Sequence, residues 1–223
     1  MKTVAERIIA FYKNLQPPTN LPNNISWLHP QNSGEVMEVV EAFYTKYFND
    51  NRERTLMLGI NPGRFGAGIT GVNFTAAKQL NDYCHIPNLF KGSELSAEFI
   101  YDMIMDYGDV ESFYSNHFIG SVCPLGFVKE GRNINYYDDK ELLNLIEPFI
   151  IKSIQQTLDF NIKKDVCYAI GGEKNFKYLS ALNNQHHFFK SIIPLPHPRF
   201  IMQYKRKQKS EYIKMYIDAL KNK

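Results

Sequence analysis

Gly59-Ile60-Asn61-Pro62-Gly63-Arg64-Phe65-Gly66-Ala67-Gly68-Ile69-Thr70-Gly71-Val72-Asn73-Phe74 follows a short apolar run, Thr55-Leu56-Met57-Leu58. A run of that length, ended abruptly by Gly, Asn and Pro, reads as a buried strand opening into a loop. Loops at the carboxyl ends of such strands are where α/β proteins build sites. Five glycines in sixteen residues exceed the needs of one turn. The backbone here is therefore expected to come close to a ligand or to another chain segment.

Outward from this stretch the chain alternates between helical and strand patterns. Val4, Ile8, Ile9, Phe11, Tyr12 and Leu15 have the spacing of an amphipathic helix over residues 3–15, and Val36 to Tyr47 that of a second over 35–48. Between them the Pro/Asn-rich segment 16–24 is a surface loop. Further helices are expected over residues 75–84 with Thr75 as N-cap, over 96–107, over 138–158 with Pro148 inside, and over 208–221. Apolar runs at Phe118–Val122, Val166–Ile170 and Ile192–Leu195 supply three more strands. Short, continuously apolar strands alternating with helices predict a three-layer α/β/α fold around a central, mostly parallel four-stranded sheet. The chain reads as a single domain over residues 1–223, with a helical amino-terminal part at 1–50 and a motif-bearing core at 55–210.

Composition narrows the class. With 223 residues, 44% of them hydrophobic, the chain can bury a sizeable core, and a net charge of +3 permits nucleic-acid binding without demanding it. Cys84, Cys123 and Cys167 are widely spaced and odd in number, which points to a reducing compartment rather than a disulfide framework. The amino terminus carries charges where a signal peptide needs its apolar core, and no run approaches a membrane span. A cytoplasmic monomer without membrane contact, metal or cofactor is the expectation.

If the four strands are parallel, the loops after Ile60, Val122, Ile170 and Leu195 share one edge. The first offers Asn61, whose amide could hold a water or simply cap the turn, and Phe74, a stacking platform or a core aromatic. The third offers Gly171 and Gly172 at a helix amino terminus, where exposed N–H groups favour phosphate. The fourth offers His197 among Pro194, Pro196 and Pro198, a stiff setting for a side chain that must be held in place. Arg199, Lys205 and Arg206 follow, interleaved with Phe200, Met202 and Tyr204, a basic run with apolar residues able to wedge into a duplex.

Taken together, these loops resemble the single-strand-selective monofunctional uracil-DNA glycosylases. Gly59 to Gly66 with Thr70 to Phe74 is similar to that family's G-M-N-P-G-P-F-G and T-G-V-P-F; His117 to Leu125 is similar to its F-V-H-N-L-C-P-L strand; Gly131-Arg132-Asn133 matches its G-R-N loop; His197-Pro198 answers to H-P-S-P-R-N. The resemblance implies that Asn61 orients the hydrolytic water and His197 donates to the departing base. It implies that Phe74 is the stacking floor, that Ile60 and Gly63 wall the base, and that DNA with a damaged pyrimidine, single- or double-stranded, is the partner. Gly131, Arg132, Asn133, Gly171, Gly172, Arg199, Lys205 and Arg206 would then contact DNA. A glycine at 63 leaves room for 5-substituents such as hydroxymethyl.

Two departures stand out. Ser121 occupies the position of the family's pyrimidine-reading Asn, and a hydroxyl offers only one donor and a shorter reach. The second motif is two residues short, so the wedge falls to Arg199, Phe200, Met202 or Tyr204. The competing expectation, favoured by Ser121 and opposed by Asn61 and His197, is a nucleobase-binding module without turnover.

Overall fold

A computed structural model describes residues 2–22 and 24–221; Asn23, within the expected 16–24 loop, lies outside the described residues. The elements in chain order are α1 (Val4–Lys13), β1 (Ile25–Leu28), α2 (Gly34–Phe48), β2 (Arg54–Gly59), α3 (Ala67–Thr70), α4 (Ala77–Asp82), α5 (Leu95–Tyr107) and α6 (Val110–Asn116). They continue with β3 (His117–Ser121), β4 (Gly126–Lys129), β5 (Arg132–Ile134), α7 (Lys140–Leu158), β6 (Ile162–Ile170), α8 (Glu173–His186), β7 (Ser191–Leu195), α9 (Pro198–Tyr204) and α10 (Lys209–Lys221). The four expected strands form one sheet in the order β3-β2-β6-β7, every neighbouring pair parallel, with helices on both faces.

The register aligns the strand ends. Gly59 pairs with Ser121 and Ile170 with Leu195, so the four loops leave from a common edge. Hydrogen bonds from Val122 N–H to the Gly59 carbonyl (2.9 Å) and from Cys123 N–H to the Ile60 carbonyl (3.1 Å) carry the β2–β3 pairing into the first loop. Pro194 sits on β7, an edge strand, where a missing N–H is tolerated.

At the opposite end of β2, Arg54 is fully buried. Its guanidinium donates to Asp50 at 2.8 and 2.9 Å and to the carbonyls of Tyr47 (3.2 Å) and Tyr114 (2.6 Å), over the Phe48 ring. Burial works against ionisation of Asp50, but the Arg54 hydrogen bonds prevail and hold its carboxyl below the usual range.

Two features depart from the sequence-based expectation. A second sheet, antiparallel in the order β1-β4-β5, joins the segment after the Pro/Asn-rich loop to the hairpin carrying Gly131-Arg132-Asn133. Thr75, expected as an N-cap, caps nothing: α4 starts after Ala76, and the Thr75 hydroxyl is 3.2 Å from the Asn73 carbonyl and 3.1 Å from the buried Tyr101 hydroxyl. A polar side chain with good buried partners has no reason to turn back toward the helix end.

Candidate active site

The antiparallel sheet holds Asn61. Its Oδ1 accepts the Tyr136 N–H at 3.0 Å, and its Nδ2 donates to the Ile134 carbonyl at 3.3 Å and towards that of Pro62 at 3.4 Å. A backbone N–H can only donate, so the oxygen of the amide is identified by its partner. Both amide hydrogens are engaged, and one Oδ1 lone pair is left to accept from a water.

Phe74 follows in the same loop with φ of 51°, a left-handed conformation unusual for a bulky residue. The turn is held by the Thr75 N–H on the Val72 carbonyl (3.2 Å) and by the Thr70 hydroxyl on the Thr75 carbonyl (2.6 Å). Its ring centroid lies 6.2 Å from that of His197.

His197 is the N-cap of α9, with Pro198 at the first helical position. Its Nδ1 accepts the Arg199 N–H at 3.1 Å, which leaves the proton of the neutral ring on Nε2. Burial, reinforced by the charge of Arg199, pushes the imidazole down to about 4. The ring is therefore a neutral donor through Nε2 at physiological pH.

Ile60, Asn61, Gly63, Phe74, Ser121 and His197 all line one cavity of about 40 Å³, together with Asn73, Glu94 and Ser96. It adjoins a groove of about 390 Å³ that adds Asn133, Tyr137, Gly172, Arg199, Phe200 and Tyr204. Six residues predicted from sequence thus meet in the cavity, and Asn133, Gly172 and Arg199 border the groove outside it. Arg132 is exposed on β5, and Gly131, at φ of 73°, accepts from the Arg64 side chain. Gly171 lies beside the apolar surface of Phe200 and Met215. Lys205 and Arg206 are exposed beyond the groove, Arg206 3.6 Å from Glu98. Met202 is buried, which removes it from the wedge candidates; Phe200 and Tyr204 are exposed, with ring centroids 5.7 Å apart.

Three further residues border the cavity, and of these only Asn73 stands in a motif, at the Pro position of T-G-V-P-F. Glu94 borders both the cavity and the groove, and burial raises its carboxyl to about 7 against the opposing pull of Arg199. Ser96, in the first turn of α5, is buried with a hydroxyl that has no partner among the described residues. Asn73 is held by Ser121 and Tyr12. Glu94 precedes an ordinary helix and Ser96 lies in its first turn, and nothing local sets them apart.

Among the described residues no helix is long and apolar enough to cross a membrane. The family model described as the uracil DNA glycosylase superfamily matches residues 45–221. No curated protein matches the chain. The crystal structure of wild-type Pedobacter heparinus SMUG2 superposes with a TM-score of 0.96 at 45% identity, over 100% of this chain and 98% of that one. With its three-layer fold and the Asn61, Phe74 and His197 loops on one sheet edge, the chain belongs to the uracil DNA glycosylase superfamily, as a member similar to the single-strand-selective monofunctional branch.

Proposed function

We propose that this DNA glycosylase hydrolyses the N-glycosidic bond of uracil and 5-hydroxymethyluracil in DNA, without a lyase step. The observation that carries the reading is the neutral, capped His197 facing the same cavity as the clamped Asn61 amide. As the bond between C1′ and N1 breaks, its electron pair goes to the base and the sugar becomes oxocarbenium-like. The largest need is a fixed donor where negative charge develops. Nε2–H of His197 supplies it to the base O2, and a neutral imidazole keeps its own proton while doing so. Asn61 Oδ1 holds the water that closes onto C1′; a weak nucleophile suffices once the base has left, and one water proton stays on the new C1′ hydroxyl while the other passes by way of solvent to the departed base anion.

Base entry requires flipping, at a cost of a few kcal/mol that damaged or unpaired bases reduce. Phe74 receives the flipped ring, and Phe200 or Tyr204 fills the gap in the stack. Arg132, Asn133, Arg199, Lys205, Arg206 and the Gly172 N–H hold the backbone, while the Gly171 N–H donates to the Leu195 carbonyl at 3.0 Å.

The test is alkaline strand cleavage after incubation, without metal, of single- and double-stranded oligonucleotides bearing uracil, 5-hydroxymethyluracil, hypoxanthine or thymine. Uracil and 5-hydroxymethyluracil should yield breaks that an Asn61→Ala, His197→Ala double variant does not give. Equal cleavage by protein and double variant would contradict the reading and leave a binding module.

A further inference from the structure

Asn73 lines the cavity directly before Phe74, is only 6% exposed, and has no part in the chemistry above. Its amide is gripped from both sides. Ser121 Oγ lies 2.6 Å from Oδ1 and the Tyr12 hydroxyl 3.3 Å from Nδ2. The shorter separation suits O–H···O and the longer N–H···O, so Ser121 donates its single proton to Asn73 and offers a ligand only lone pairs. Asn73 itself keeps one Nδ2 hydrogen and one Oδ1 lone pair for which the described residues supply no partner. Leaving such groups unmet in a buried site is costly.

Tyr12 stands on α1, outside the residues 45–221 that match the family model. It is buried, its ring stacks on Tyr44 at 5.8 Å and meets Phe11 edge-on at 5.1 Å, and burial raises its phenol so that it stays protonated. It is a rigid post from a segment that carries none of the recognisable motifs.

Resting on the glycosylase reading, we infer that Asn73 recognises the lactam edge of the flipped base, with Oδ1 accepting N3–H and Nδ2 donating to O4. Tyr12 is the positioning residue that fixes which way the amide faces. Rotated by 180°, the amide would present a donor to N3 and an acceptor to an exocyclic amine, the pattern of cytosine. That rotation would set Nδ2 2.6 Å from Ser121 Oγ, shorter than N–H···O bonds run, and leave Oδ1 at the longer Tyr12 separation of 3.3 Å, so the two distances together oppose it and the amino-terminal helix takes part in base selection.

The test uses the full chain and non-hydrolysable oligonucleotides carrying 2′-fluoro-2′-deoxyuridine or 2′-fluoro-2′-deoxycytidine, with a tetrahydrofuran abasic analogue as the control for fold and backbone binding. A bidentate amide predicts a preference for uracil over cytosine of about 10–100-fold in Kd. Asn73→Ala should bring that ratio to parity while abasic binding is kept, and Tyr12→Phe should narrow it with abasic binding equally kept. If either variant loses abasic binding, the other decides. A wild-type ratio near one, or a ratio preserved in Asn73→Ala or Tyr12→Phe, overturns the inference. Discrimination in binding by a protein that releases no uracil from ordinary deoxyuridine would overturn the glycosylase reading instead and leave this one standing.

Discussion

A Cβ on Gly59 would lie 2.7 Å from Cε2 of Phe74. The last residue of β2 and the aromatic fifteen positions later are thus in contact, and the glycine is what allows the ring to lie against the sheet edge. The contact atom belongs to a ring already held in a left-handed backbone conformation. Gly59→Ala is expected to displace that ring, destabilising the protein by about 1–3 kcal/mol. Uracil release should fall further than stability explains, which thermal melts and single-turnover rates measured on one preparation will separate.

Gly63 presents the opposite case. A Cβ there would stand 3.4 Å from Asn133 Nδ2 and 3.8 Å from Glu94 Oε1, ordinary contact distances. Gly63→Ala should leave stability within about 0.5 kcal/mol of wild type. If position 63 sets the room for 5-substituents, 5-hydroxymethyluracil release should drop more than uracil release in parallel assays.

Glu94 gives a pH dependence with a defined sign. Its carboxyl is raised from 4.5 to about 7 in the folded protein by burial, so the folded state binds the proton more tightly than the unfolded chain. The contribution to stability is complete below pH 4.5 and is lost as pH rises through 7. Glu94→Gln, which stays neutral, should therefore match wild type at low pH and exceed it above neutrality, by at most about 3 kcal/mol. Denaturant titrations at pH 5 and pH 8 read this directly; a gain confined to pH 5 would contradict the assignment.

Arg54 and Asp50 test the fold rather than the site. Arg54 is fully buried with carbonyl and carboxylate partners on all sides. Arg54→Met would leave those acceptors unmet and should cost about 3 kcal/mol or more in chemical denaturation. A near-neutral effect would show that the pair adds nothing to stability.

The parallel sheet and its site edge were legible because their signals are local. The apolar run before Gly59, the glycines after it and the prolines around His197 each act within a few residues. What fixes the site was not legible, because it is assembled across the chain. The amide of Asn61 is oriented by Ile134 and Tyr136, beside a sheet whose strands have three or four residues, too few to show a period. Asn73 meets Tyr12 across sixty-one positions, and nothing local to either residue announces the pairing. Met202 looked like a wedge because it stands in a basic run, yet α9 turns it into the core while leaving Phe200 outside.

The central claim is that His197 acts as a neutral donor to the departing base, and the most direct measurement is the pH dependence of single-turnover uracil release. With the ring depressed to about 4, the histidine limb should appear near that value, and in a Glu94→Gln background the rate should be flat from pH 5.5 to 8. His197→Ala should lower the plateau by about 10²–10³-fold and abolish the limb. A limb near 6.5, the ordinary histidine value, or a plateau unchanged in His197→Ala would contradict the account.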